Sequence, residues 1–117
     1  MNKKTKINVL ITSAGVMSAV NIIKSLRLQK EINVEIVATD VDKYAAGLYL
    51  ADKYYISPPL TNKKEYLNFL LKIINKHEID SIFPCLSKEI SFISKNSKTL
   101  LEQGCHSLLT KADMVDL

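Results

Sequence analysis

The stretch Leu10-Ile11-Thr12-Ser13-Ala14-Gly15-Val16-Met17-Ser18-Ala19 decides the fold of this chain. It begins inside the apolar, β-branched run 7–12, which is typical of a strand buried on both faces. A single glycine follows, and from Val16 the apolar residues recur at helical spacing, at Ala19, Val20, Ile23 and Leu26. A buried strand that turns through one glycine into a helix is the first unit of an α/β fold with a parallel sheet.

The remainder of the chain alternates strands and helices. Strands are predicted over 34–39, 53–56, 81–83 and 105–109, with a short helical turn over 44–51. Asn62 and Glu65 form a capping box that opens a helix with a buried stripe of Tyr66, Phe69, Leu70, Ile73 and Ile74. Ser87 is expected to cap a helix that carries Ile90, Ile93, Leu100 and Leu101 and ends at Gly104. The sequence therefore predicts an α/β, Rossmann-like, open parallel five-stranded sheet with helices on both faces.

Composition narrows the class of protein. The net charge is +4, but the lysines and arginines fall at solvent-facing positions of predicted helices rather than in a cluster with aromatics, so no nucleic-acid partner is expected. No apolar run approaches the roughly 20 residues that span a bilayer, and the basic start is followed by a strand rather than a cleavage site, so we expect no membrane partner and a cytoplasmic location.

The two cysteines are predicted to be free thiols. Cys85 lies at the carboxyl end of the fourth strand and Cys105 at the amino end of the fifth, so in a parallel pair they lie at opposite edges of the sheet. That places them roughly 15 Å apart for a strand of this length, whereas a disulfide needs Cα atoms within about 7 Å. No spacing of Cys, His or acidic residues indicates a metal site.

The loop after the first strand raises the hypothesis of dinucleotide binding. The G-x-G-x-x-G fingerprint falls on Ser13, Gly15 and Ser18, so only the middle glycine is present. Asp40 ends the second strand, where a ribose-binding acid would stand, but an Asp there also caps the following turn. A dinucleotide-binding domain of an oxidoreductase or epimerase remains an alternative.

The role of Gly15 also has two possible interpretations. It lies at the carboxyl edge of the sheet, where open α/β sheets bind ligands, and it either lets a ligand approach the backbone or only permits the turn. A third class, a flavodoxin-like interaction or receiver-type domain, would need paired acids after the first strand and an Asp after the third. Ser57-Pro58-Pro59 stands at the latter position.

Several segments in order resemble the N-terminal, pre-ATP-grasp domain of ATP-grasp ligases, in particular carbamoyl-phosphate-synthase large-subunit-like proteins. The segments are VLITSAG (9–15), Asp40-Val41-Asp42 with Ala45-Ala46, Ala51-Asp52-Lys53-Tyr54-Tyr55, and Ile79-Asp80-Ser81-Ile82-Phe83-Pro84 followed by Glu89. The chain departs from the family after the fourth strand, where Pro84-Cys85-Leu86-Ser87 replaces the usual Pro-Thr and acid.

The resemblance implies an enzyme that activates a carboxylate as an acyl phosphate with ATP and Mg²⁺ and then joins it to an amine. The substrate contacts that it implies are Gly15, Val16, Met17 and Glu89, although an acid at Glu89 also favours its own helix N-terminus. No catalytic, cofactor or metal-binding residue is expected in this segment, which supplies the substrate side of the site and is inactive alone. ATP and Mg²⁺ are expected in the full-length enzyme, together with a small carboxylate or amine substrate.

The last residues bear on domain organisation. Thr110-Lys111-Ala112-Asp113 is a second capping-box pattern with few residues after it, whereas an isolated helix needs about 12–15 residues. We therefore expect a pre-ATP-grasp domain over 1–110 and the start of a linker or helix to an ATP-grasp domain over 111–117. Apolar surface that a second domain would cover favours a homo-oligomer.

Overall fold

The computed structural model of the protein describes residues 6–107. Strands and helices alternate along the chain in the order β1 (Lys6–Ile11), α1 (Met17–Leu28), β2 (Asn33–Asp40), a 3₁₀ helix (Ala46–Leu50), β3 (Lys53–Ile56), α2 (Lys63–His77), β4 (Ser81–Phe83), α3 (Ser87–Lys95), α4 (Ser97–Glu102) and β5 (His106–Ser107). The elements follow the predicted order up to α3, so the alternation of apolar runs with helical hydrophobic periodicity located them correctly.

The five strands form one parallel sheet in the order β3-β2-β1-β4-β5. In its centre, Val9 of β1 is in register with Ile36 of β2 and with Ser81 of β4. The prediction of an open, parallel, Rossmann-like sheet is confirmed. The buried side chains of Val9, Leu10 and Ile11 explain why β1 reads as an apolar run on both faces.

Helices cover both faces of the sheet. On one face, Ala19 and Ile23 of α1 pack against Val9, Ile11 and Ile36. On the other face, side chains of α2, α3 and α4 pack on the alternate strand residues in the larger core cluster of Leu10, Val37, Tyr66, Leu70, Ile82, Phe92, Ile93 and Leu100. The sheet grows from β1 towards β2 on one side and towards β4 on the other. Because both connections are right-handed, the helices on the two sides lie on opposite faces of the sheet.

The region after β4 differs from the prediction in two ways. Ser87 does not cap α3, because the cap position is Leu86 and Ser87 is the first helical residue. One long helix is replaced by two, because the side-chain amide of Asn96 donates to the carbonyl of Phe92 at 2.8 Å and ends α3. Such local side-chain bonds compete with helical ones. The break turns Leu101, predicted in the buried stripe, to solvent, where it is 54% exposed.

A close backbone approach joins the first loop to the 3₁₀ helix. The amide of Gly47 donates to the carbonyl of Ala14 at 3.0 Å. A Cβ atom on Gly47 would lie 2.1 Å from that same oxygen, so only glycine allows this contact. Ala14, Ala38, Ala45 and Leu48 form the small buried cluster around it. The loop after β1 therefore packs closely on the 3₁₀ helix, because the residues between them are small.

β5 begins at His106, one residue after the predicted start at Cys105. The strand runs over His106–Ser107 against a predicted 105–109, and residues from 108 onward, including the helix predicted at Lys111, lie outside the described residues. Cys85 and Cys105 are both free, as predicted. Within 6–107, no helix has the length and apolar character needed to cross a membrane.

Candidate functional site

The sheet reverses its direction of winding between β1 and β4. The chain leaves β1 towards α1 on one face and leaves β4 towards α3 on the other, so the two loops diverge at the carboxyl edge, where a crevice is expected between them. The amide of Thr12 donates to the carbonyl of Phe83 at 3.2 Å, which holds the two loops together at the base of the crevice. Open α/β sheets bind ligands at such switch points.

Glu89 connects the loops from within. Its side chain is buried, with 7% exposure. Oε1 accepts a hydrogen bond from Thr12 Oγ1 at 2.6 Å and one from the amide of Cys85 at 3.4 Å. Oε2 accepts one from Ser13 Oγ at 2.6 Å and one from the Tyr66 hydroxyl at 3.1 Å. Four donors therefore compensate the burial of this carboxylate, as a buried charge requires.

The backbone of the loop is strained at Ser13. Its φ is 52°, a left-handed conformation that is uncommon for residues other than glycine. Three hydrogen bonds stabilise it: the Ser13 hydroxyl to Glu89, the Ser13 carbonyl from Val16, and the neighbouring Ala14 amide to the carbonyl of Thr39 at 3.0 Å. Strain of this kind persists where surrounding contacts determine the conformation, and it occurs often at ligand sites.

Asp40 forms a hydrogen bond with the backbone of the first loop, at Gly15. Its Oδ2 accepts from the Gly15 amide at 2.9 Å, and its Oδ1 accepts from the amide of Asp42 at 2.8 Å. The carboxylate thus closes the turn after β2 and fixes the first loop. A dinucleotide-binding loop directs its glycine amides at the pyrophosphate, whereas here a carboxylate of the chain already accepts from this one. The geometry supports the turn-capping interpretation of Asp40.

The two helices that start at the crevice have no side-chain caps. Val16 precedes α1 and Leu86 precedes α3, and neither side chain accepts a hydrogen bond from its helix. By contrast, Asn62 caps α2, because its Oδ1 accepts from the amide of Glu65 at 3.2 Å. The first amides of a helix attract anions when no side chain satisfies them. The two helix ends therefore contribute partial positive charge beside the carboxylates of Asp40 and Glu89, which already accept hydrogen bonds from donors of the chain.

The predicted site residues lie around this crevice in two groups. Gly15 and Met17 are exposed at its mouth, Met17 with 71% exposure, and Val16 is half-buried beside them. Glu89 lies beneath them and contacts the loop through Thr12 and Ser13 rather than through these three residues. Thr12, Ser13 and Tyr66 were not predicted as site residues. In the sequence, the hydroxyl residues Thr12 and Ser13 are marked as candidates only by their position in the loop before Gly15. Tyr66 has no such mark, because its spacing is that of a core residue of α2.

The Tyr66 hydroxyl and the Cys85 thiol stay protonated at neutral pH. Burial raises the pKa of the Tyr66 hydroxyl, and the neighbouring charge of Glu89 raises it further. Burial and Glu89 likewise raise the pKa of the Cys85 thiol to about 11. A protonated tyrosine and a protonated thiol are donors rather than nucleophiles. Among the residues that the structure describes, no group of His, Cys, Asp and Glu is arranged to hold a metal ion.

These features define a Rossmann-like domain with a candidate ligand site at its switch point. The chain belongs to the PylC-like N-terminal domain family, whose sequence profile matches residues 9–108. This match confirms the coarser part of the resemblance, an N-terminal, pre-ATP-grasp domain of the ATP-grasp ligase family. No curated protein sequence matches the chain significantly.

Similar folds occur in much longer proteins. Saccharopine dehydrogenase (L-Glu forming) from Saccharomyces cerevisiae superposes with a TM-score of 0.57 at 17% identity, over 93% of this chain and 23% of that one. Pyruvate carboxylase from Rhizobium etli gives 0.55 at 17% identity, over 86% and 10%. dTDP-glucose 4,6-dehydratase from Bacillus anthracis, in complex with NAD, gives 0.51 at 21% identity, over 82% and 33%. The likeness establishes the fold, and the chain spans a third or less of each structure.

Proposed function

We propose that this chain is the N-terminal, substrate-side domain of an ATP-grasp carboxylate–amine ligase of the carbamoyl-phosphate-synthase-like kind. In such an enzyme a carboxylate oxygen attacks the terminal phosphorus of ATP, and ADP leaves. The amine then attacks the acyl carbon and displaces phosphate. ATP and Mg²⁺ belong to the remainder of the enzyme, and this domain holds one substrate in the cytoplasm.

The observation that carries this proposal is the pair of uncapped helices at the switch point. α1 and α3 both begin at the crevice without a side-chain cap, whereas α2, which begins elsewhere, has one; α4, which follows α3 directly, also lacks one. A small carboxylate at the mouth would accept hydrogen bonds from the first amides of these helices and would be stabilised by their dipoles. An acyl phosphate is also an anion, so the same amides suit the activated intermediate.

The chain's own residues have distinct roles in this proposal. Gly15 lets the loop pack closely on the turn after β2, since a Cβ there would lie 3.0 Å from the Cβ of Ala45 and 3.2 Å from Oδ2 of Asp40. Val16 and Met17 supply the apolar wall beside the helix amides. Glu89 acts as a positioning residue, because its oxygens are engaged by Thr12, Ser13, Tyr66 and Cys85.

The proposal can be tested by titrating the ¹⁵N-labelled chain with small carboxylates and amines, such as acetate, glycine and lysine, at millimolar concentration. We expect the amides of residues 15–19 and 87–89 to shift in NMR spectra. Met17→Asp places a competing carboxylate at the start of α1 and should abolish these shifts. Leu28→Asp, at the far end of the same helix and also strongly exposed, is the matched control and should preserve them. Shifts confined to other surfaces, or none with any carboxylate, would contradict the proposal.

A further inference from the structure

A groove of about 970 Å³ lies between α2 and α3, on the opposite face of the sheet from α1. Its apolar lining includes Leu60, Leu67 and Phe92, which also pack against the main core. Along α3 the lining residues Lys88, Ser91, Phe92 and Lys95 follow the spacing of one helix face. The α3 side of the groove is therefore about two helical turns long.

The charges around the groove have one sign. Lys63 and Lys64 of α2 and Lys88 and Lys95 of α3 line it, and no Asp or Glu does so within residues 6–107. Glu65, the acid in the first turn of α2, is engaged with Asn62 and lies outside the lining. An apolar surface between lysines is complementary to a ligand with an apolar stripe and flanking carboxylates.

We infer that this groove binds an acidic amphipathic helix of a separate polypeptide. Helix-in-groove recognition places apolar residues at helical spacing on a hydrophobic surface, and flanking charges set the orientation. A second copy of this chain does not fit, because a symmetric contact would place the lysines of both copies together. A nucleic acid fits less well, because Phe92 is only 7% exposed and offers no ring face on which a base could stack. This inference does not rest on the proposed ligase function.

The test uses fluorescein-labelled peptides and fluorescence anisotropy. The probe is a designed helix with Leu at positions i, i+3, i+4 and i+7 and Glu on both flanks of that stripe. A peptide of the same composition with the leucines scattered, and a single-stranded RNA, serve as comparisons. We expect the probe to bind at least ten times more tightly than the scattered peptide and the RNA, and its affinity to fall as salt rises.

Charge reversal on the groove provides the decisive comparison. Lys88→Glu with Lys95→Glu should weaken probe binding at least tenfold. Lys24→Glu with Lys30→Glu makes the same change in net charge outside the groove and should leave binding within twofold. The comparison requires that both double variants unfold at the same temperature as the parent. If Lys88→Glu with Lys95→Glu does not, Lys88→Gln with Lys95→Gln takes its place.

Three results would overturn the inference: equal weakening by both double variants, tighter binding of the RNA, or no probe binding below millimolar concentration. ¹⁵N chemical shifts distinguish this surface from the crevice, since the probe should perturb Leu67 and Phe92. The small carboxylates discussed above should perturb residues 15–19 and 87–89 and leave Leu67 and Phe92 unchanged. Failure at one surface therefore leaves the other proposal intact.

Discussion

The carboxylate of Glu89 lies 2.6 Å from the hydroxyl of Ser13, although 76 residues separate them in the chain. Ser13 belongs to the loop that enters α1, and Glu89 belongs to the first turn of α3. The bond therefore joins the two segments that diverge at the switch point. It also stabilises the left-handed backbone of Ser13 and so determines the shape of the crevice.

Replacing Glu89 should destabilise the fold. Glu89→Ala leaves the buried hydroxyls of Thr12, Ser13 and Tyr66 without their acceptor, and we expect the free energy of unfolding to fall by about 3 kcal/mol. Glu89→Gln keeps an acceptor and should cost about 1–2 kcal/mol. Tyr66→Phe removes one donor only and should cost about 1 kcal/mol. Urea unfolding measures all three, and a neutral Glu89→Ala would contradict the role given to this network.

The glycines provide a second prediction. In Gly47→Ala the new Cβ meets the Ala14 carbonyl at 2.1 Å, so two backbone segments must separate, and we expect a loss above about 3 kcal/mol or failure to fold. Gly104→Ala is the comparison, because no atom lies within 4 Å but φ is +83°. Its cost should be about 1 kcal/mol. Equal effects in thermal unfolding would show that backbone conformation, rather than contact, determines the requirement at Gly47.

Both thiols should react slowly in the folded protein. Burial raises the pKa of Cys85 to about 11 and that of Cys105 to about 12, with further contributions from Glu89 and Asp80 respectively. At pH 8 few molecules carry a thiolate, which is the reactive form. Mass spectrometry after brief iodoacetamide treatment should show little labelling in buffer and two labels in denaturant. An S–S bond between these residues would contradict the parallel pairing of β4 with β5.

Stability should fall in mild acid because of His77. The Tyr55 hydroxyl lies 2.5 Å from Nε2 of this residue, at the end of α2. Burial, followed by the charge of Lys76, lowers the pKa of His77 below its usual 6.5. The unfolded chain therefore binds more protons as pH falls through 6.5, and stability is lost from there down to the folded pKa.

The contribution of His77 can be isolated by comparing variants. Between pH 7 and 5, His77→Gln should lose less stability in urea titrations than the parent does. Tyr55→Phe keeps the half-buried His77 beside Lys76 and should retain the parent's pH dependence. Identical slopes for His77→Gln and the parent would show that other groups determine the acid response.

We also expect the chain alone to bind neither NAD(P) nor Mg-ATP with useful affinity. Ser13 and Ser18 replace two fingerprint glycines, and Asp40 accepts from the Gly15 amide that a pyrophosphate would use. Calorimetry at millimolar nucleotide should give no heat of binding. Micromolar NAD⁺ binding that disappears in Asp40→Ala would support the dinucleotide alternative, and Mg-ATP binding would place a nucleotide site in this domain.

Local patterns predicted the fold because each strand and helix has its own periodicity. The run 7–12 is buried on both faces, and Asn62 caps α2 as its spacing with Glu65 indicated. Gly47 could not be assigned a role, because its requirement comes from Ala14, which is distant in sequence and close only after folding. The same limit applies to the break at Asn96, where one side-chain bond outweighs a continuing helical pattern.

The candidate site could be predicted only in part, because some of its contacts join residues that are distant in the sequence. Its location follows from general rules about the carboxyl edge of a parallel sheet, and Gly15 marks it in the sequence. The partners of Glu89 depend on how α2 and α3 pack, so Tyr66 gave only the signal of a core residue. Lys88 and Lys95 read as ordinary helix surface, and only the neighbouring α2 turns that surface into one side of a groove.

The central position of β1 has a consequence for synthesis on the ribosome. β1, α1, β2 and β3 emerge first, but β1 also pairs with β4, and the amide of Asn8 donates to Asp80 across 72 residues. Until β4 emerges, one edge of a strand that becomes fully internal stays open to other nascent chains. We expect a translational pause between β3 and β4 to increase aggregation, and rapid elongation through residue 83 to favour the native protein.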